Sequence, residues 1–144
     1  MPSPQPLISR TFVLGADIIS QTTRINSVST SLVFQSDAQG STRLATDLSG
    51  QIAQAYNFDA YGSLLAPPSV LLTNILYDGE YFDAAIQKYR LRARDYDPTT
   101  GRFMTSDPKP GTATTPATLH RWGFGHANPT NLIDPSGNNA IFAF

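Results

Sequence analysis

The chain has 144 residues, of which 40% are hydrophobic and only 15% charged, with a formal net charge of −1 and no cysteine. That length suits a single domain, the near-neutral charge gives no general attraction to nucleic acid or acidic membranes, and disulfides and thiolate metal sites are excluded. No apolar run approaches the length that spans a bilayer, and Met1-Pro2-Ser3-Pro4-Gln5-Pro6 has neither the basic nor the apolar part of a signal peptide.

Ten of the eleven acidic residues are Asp, Glu80 being the exception. Glu suits helix interiors, whereas Asp competes for backbone hydrogen bonds and favours turns and caps. With ten Gly and eleven Pro, the composition leans to turn-rich β structure. The expected fold is all-β: an antiparallel strip of β-hairpins followed by a compact C-terminal core containing at most a short helix.

In chain order, residues 1–9 read as a disordered tail. Phe12-Val13-Leu14 and Ile18-Ile19 suggest a strand pair broken at Gly15. Asp37-Ala38-Gln39-Gly40, Asp47-Leu48-Ser49-Gly50 and Asp59-Ala60-Tyr61-Gly62 then repeat Asp-x-x-Gly at intervals of ten and twelve residues. Asp at the head of a type I turn accepts backbone hydrogen bonds, and Gly closes the hairpin in the left-handed conformation. Turn signals at this spacing, separated by short runs of Thr, Ile, Tyr and Phe, predict successive hairpins. Ile52, Tyr56 and Phe58 share one parity before the third turn.

Ala66-Pro67-Pro68-Ser69 cannot continue a central strand. Gln87-Lys88-Tyr89-Arg90-Leu91-Arg92-Ala93-Arg94 alternates over eight residues and reads as one half-buried strand, with Tyr89, Leu91 and Ala93 on one face and four basic residues on the other. The turn device returns as Asp97-Pro98-Thr99-Thr100-Gly101 and Asp134-Pro135-Ser136-Gly137. Between them 108–116 reads as a surface loop, and Leu119 to Gly125 as either a short helix or an aromatic turn.

Tyr56-Asn57-Phe58-Asp59-Ala60-Tyr61-Gly62 resembles the YD-repeat signature. Leu76-Tyr77-Asp78-Gly79-Glu80, the run Tyr89 to Phe103, Ser106-Asp107-Pro108, Leu119-His120-Arg121-Trp122 and Asn128 to Gly137 resemble the RHS repeat-associated core. The resemblance runs from about Gly15 to Gly137 and is most specific from Arg90 to Asp107. It divides the chain into YD-repeat-like hairpins at 10–74, the core at 75–137, and at 138–144 the start of a variable C-terminal region, truncated here.

The resemblance implies a segment of a hollow β shell that encloses a C-terminal toxin or other cargo polypeptide. Its partners would be the rest of its own YD-repeat shell and that cargo. It also implies a secreted or cell-surface setting and a piece of a longer protein. In several such proteins the core is an aspartyl autoprotease that cuts just after Asp-Pro-x-Gly. The positions matching that site are Asp107, Asp134 and Arg94, with the cut after Asn138. Two neighbouring carboxylates divide acid and base roles between them, and a nearby Arg favours the ionised member. On turn chemistry alone each Asp-Pro is a turn starter, and Arg94 belongs to a solvated basic face or an inter-strand ion-pair row. Self-cleaving relatives commonly carry Leu where this chain has Asn138.

No metal or cofactor is called for. His120 and His126 stand six apart with no cysteine and no acidic residue between Lys109 and Ile133, unlike zinc-site spacings. Gly123-Phe124-Gly125 lacks the strand–helix setting of a phosphate loop, and Asn128-Pro129-Thr130 has the proline that blocks glycosylation. Tyr77, Tyr81, Phe82, Tyr89 and Tyr96 read as core or shell-lining residues rather than a stacking platform.

Overall fold

Asp37, Asp47 and Asp59 each head a turn of the same construction. Gly40, Gly50 and Gly62 donate their N–H groups to the carbonyls of these aspartates at 3.0, 3.0 and 3.1 Å. Each aspartate Oδ1 accepts the amides two and four residues on. The glycines stand at φ of +86°, +85° and +89°, where a side chain is strained. Gly101 and Gly137 close the two Asp-Pro turns with bonds to Asp97 O and Asp134 O.

These turns organise the computed structural model, which describes residues 7–15, 17–138 and 140–142. Strands β1 (Ile8–Leu14), β2 (Ile18–Ile25), β3 (Val28–Ser36), β4 (Thr42–Thr46) and β5 (Ile52–Ala55) form one antiparallel meander in sequence order. β6 (Asn57–Phe58) pairs with β7 (Leu64–Leu65) across the Asp59 turn. β8 (Tyr81–Asp83), β9 (Lys88–Leu91), β10 (Arg94–Asp97) and β11 (Arg102–Phe103) make a second meander, and β12 (Leu132–Ile133) pairs with β13 (Ile141–Phe142). The helical elements among the described residues are 3₁₀ turns at Tyr77–Gly79, Pro116–Leu119 and Phe124–Ala127. None is long and apolar enough to cross a membrane. The all-β expectation holds.

Three local readings need correction. The eight-residue strand from Gln87 to Arg94 is a hairpin, because Arg92 adopts a φ of +34° and the chain reverses at Arg92–Ala93. A first turn residue with positive φ matches the twist of the flanking strands. The reversal changes parity: Arg94 pairs with Leu91 and is buried with Tyr96, while Ala93 is exposed. Lys88 and Arg90, on the other arm, reach Asp97 and Asp83 at 3.0 and 3.4 Å. Second, Ile52 does not share a buried face with Tyr56 and Phe58. It is 63% exposed in the strip, because the chain leaves the strip at Tyr56 to enter the core. Third, β1 begins at Ile8, so Ile8 and Ser9 belong to a strand rather than a disordered tail. Residues 1–6 of that tail lie outside the described residues.

The core is largely aromatic. Phe58, Tyr77, Tyr89, Tyr96, Phe103 and Phe124 pack with Leu32, Phe34, Ala45, Tyr56, Leu76 and Leu91 of both sheets and the segments between them. Tyr96 and Phe124 lie 4.4 Å apart between ring centroids. Buried tyrosines need an acceptor, and three find one on the same turn. Tyr77, Tyr96 and Tyr89 donate to the carbonyls of Ala60, Tyr61 and Gly62 at 2.9, 2.7 and 2.9 Å. Burial holds all three phenols well above their usual titration range. The Asp59 turn is thus the point at which the C-terminal half grips the strip. A Cβ on Gly62 would stand 2.6 Å from the Tyr77 ring, so that grip also requires glycine.

Candidate functional site

Arg94 opens β10, Asp107 follows β11, and Asp134 follows β12. The aromatic core fixes the first of these. Arg94 Cζ lies 3.6 Å from the centroid of the buried Phe103 ring, a stacking that holds the guanidinium plane. Nη2 then faces both carboxylates, 3.3 Å from Asp107 Oδ2 and 3.6 Å from Asp134 Oδ2. Nη1 donates to Arg121 O at 3.2 Å, and Nε donates to Gly137 O. The side chains of Arg94, Asp107 and Asp134 are 5%, 17% and 4% exposed. The structure therefore brings together the three residues singled out by sequence.

Each aspartate divides its oxygens between two tasks. Asp134 Oδ1 accepts Asn138 N at 3.0 Å and Ser136 Oγ at 3.2 Å, the pair of bonds that Asp47 also makes in its turn. Asp107 Oδ1 accepts Lys109 N at 2.8 Å. The turn chemistry thus employs Oδ1 in both, and Oδ2 is the oxygen that faces Arg94. Burial draws the guanidinium below its ordinary value, and the two carboxylates counter that pull. Arg94 stays charged at neutral pH.

Sequence reasoning missed three contributors. Arg121 Nε donates to Asp107 O at 2.8 Å, and Asp107 N donates back to Arg121 O at 2.8 Å, so Arg121 fixes the Asp107 loop. The signal was Leu119-His120-Arg121-Trp122, which was recognised but given no role. Phe103 supplies the stacking surface. Gly137 lets the Asp134 turn dock on the β9–β10 hairpin: a Cβ there would lie 2.3 Å from Leu91 O and 3.2 Å from Arg94 N.

The three residues line a cleft of ≈ 230 Å³ together with Lys109, His120 and Arg121. Asn138 lines it too, and its side-chain Oδ1 is buried without a hydrogen-bond partner. The bond marked for cleavage by the resemblance follows Asn138 and runs into Asn139, outside the described residues. Among the described residues no group of three or more His, Asp or Glu side chains is arranged to hold a metal ion. Chemically, a buried guanidinium between two carboxylates fixes both acids and can polarise a carbonyl brought to it, while a carboxylate in a cleft can take a proton from water.

No protein-family model matches the chain. It is 30% identical over 108 residues to the tRNA3(Ser)-specific nuclease WapA of Bacillus spizizenii, across 73% of this chain and 5% of that protein. It is 31% identical over 109 residues to salivary gland surface protein 1 of Aedes aegypti, across 73% of this chain and 3% of that protein. Among solved structures, the TcdB2-TccC3-Cdc42 crystal structure superposes with a TM-score of 0.80 at 24% identity, covering 95% of this chain and 7% of the other. The fold is therefore RHS-related, and the chain spans a few per cent of the length of the proteins it matches.

Proposed function

We propose that residues 10–74 are YD-repeat hairpins and 75–137 the RHS repeat-associated core of a shell that encloses or presents a C-terminal polypeptide. On this reading the segment belongs to a longer secreted toxin-delivery or cell-surface protein. The observation that carries it is β1. All seven of its residues are exposed, and Ile8, Phe12, Val13 and Leu14 present apolar surface on both faces of a strand that, among the described residues, is paired on one side only. Such an edge is a template for another strand, and a repeat strip covers its terminal units with neighbouring ones. The relatives are much longer proteins, which agrees with a segment whose neighbours complete it.

Sedimentation velocity of the isolated chain checks this. The sedimentation coefficient should rise with concentration, and Val13→Lys, which places a charge on that edge strand, should suppress the rise. A compact monomer over a hundredfold concentration range would remove the main support for the strip.

A second reading is favoured by Arg94 facing both Asp107 and Asp134. The core would then be an aspartyl autoprotease acting on its own chain. One carboxylate takes a proton from water as the water oxygen adds to the Asn138 carbonyl carbon. The C–N bond to Asn139 breaks, and the other carboxyl passes a proton to the departing amine. Arg94 would hold the ionised carboxylate and, through Gly137 O, the turn that presents the bond. Asn138 in place of the usual Leu is the feature that sets this chain apart from self-cleaving relatives.

A further inference from the structure

The segment 76–80 is wedged between the strip and the core. Thr42 N donates to Leu76 O and Asp78 N to Ser41 Oγ, both at 2.9 Å. Gly40 and Gly79 approach so closely that a Cβ on Gly79 would stand 3.4 Å from Gly40 O. Asp78 sits at the centre with φ +52° and ψ 23°. Both of its carboxylate oxygens are buried without a hydrogen-bond partner of good geometry, and the neighbouring Ser41 hydroxyl acts on the carboxyl. A groove of ≈ 580 Å³ runs alongside, lined among others by Asp17, Glu80, Arg92 and Pro135. Asp78 itself borders that groove, with its carboxylate oxygens turned away from solvent. A buried carboxylate with no cation beside it favours its protonated form.

We propose that Asp78 is a protonation latch: with its carboxyl protonated it closes the junction between the strip hairpin 37–41 and the core, and losing the proton loosens that junction. The surrounding charges support this. The hairpin presents Asp37, paired at 2.8 Å with Arg43, and the β1–β2 connection contributes Asp17. Glu80 lies two residues on, with Arg92 of the β9–β10 turn and Asp134 acting on it. The phenols of Tyr77 and Tyr89 feel the Asp78 charge as well. Acids outnumber bases around this buried carboxyl.

Burial, and then Asp37 and Glu80, push the Asp78 carboxyl from 3.8 up to about 8, against the Ser41 hydroxyl, which favours the ionised form. Burial likewise raises Glu80 from 4.5 to about 7. A carboxyl raised in this way keeps its proton in the closed junction and releases it on opening. The closed form is therefore favoured most below pH 3.8, loses ground as pH rises, and loses no more above about 8.

Amide hydrogen exchange at Thr42 and Asp78, corrected for the intrinsic rate, reads the opening directly. Between pH 5 and 7 their protection should fall by up to about tenfold per pH unit. Asp78→Asn, whose side chain tolerates the left-handed conformation and carries no charge, should reduce that dependence to the part that Glu80 contributes. Protection independent of pH in the parent, or an unchanged slope in Asp78→Asn, would overturn the latch. Carbon-13 titration of the Asp78 carboxyl in the parent decides the matter even if the variant does not fold. A midpoint near 8 supports the latch, and one near 4 refutes it.

Discussion

Arg94→Met should destabilise the chain by about 3–5 kcal/mol, the cost of leaving buried charge without its partner. Asp134 is 4% exposed, and Asp107 is held by the same guanidinium nitrogen, so removing Arg94 leaves two carboxylates facing one cleft. The carbonyls of Arg121 and Gly137 lose a donor in the same step, and Phe103 loses the plane stacked on it. Met fills similar volume, which isolates the charge from the packing. Urea denaturation gives the number. Asp134→Asn added to Arg94→Met should return part of the loss, since it removes one of the two carboxylate charges that Arg94 had faced. A loss below about 1 kcal/mol, the scale of an exposed ion pair, would mean that the bridge does not hold the core together.

Gly137→Ala should cost about 2–5 kcal/mol, from left-handed backbone strain and overpacking together. Gly50→Ala separates the two contributions. Gly50 has a similar φ of +85°, yet a Cβ there meets nothing within 4 Å. It should cost only the backbone part, about 1–2 kcal/mol. The excess at position 137 measures how tightly the Asp134 turn is seated on Leu91 O and Arg94 N. Equal losses at the two glycines would show that the turn is free of the β9–β10 hairpin.

The turns were legible because Asp-x-x-Gly states its chemistry within four residues: an acceptor at the head, and a residue free to take positive φ at the close. The hairpin at Arg92 was not, since nothing in Leu91-Arg92-Ala93-Arg94 carries a Gly or Asn to mark it. Alternation of apolar and basic residues concealed the change of parity. That hidden reversal determines the site, because it turns Arg94 from a solvated face into the core. Asp107 and Asp134 were found by resemblance, and no periodicity links them. Arg121 and Phe103 escaped because their roles depend on long-range approach: the Arg121 guanidinium to Asp107 O, and the Phe103 ring to the Arg94 plane. The tyrosine anchors on the Asp59 turn escaped for the same reason. Each hydroxyl reaches a carbonyl 17 to 35 residues away.

The most direct measurement places a reporter polypeptide after Phe144 in the full-length gene product and follows its intact mass during protease treatment. The shell reading predicts a reporter that survives protease levels which digest the free reporter, and that becomes sensitive once the shell is unfolded. A reporter digested as fast as the free polypeptide would contradict enclosure. The same mass record tests the second reading. Spontaneous cleavage after Asn138, abolished in folded Asp107→Asn and in folded Asp134→Asn, would establish a working autoprotease. An uncut junction in the parent would leave Arg94, Asp107 and Asp134 as the bridge that closes the core.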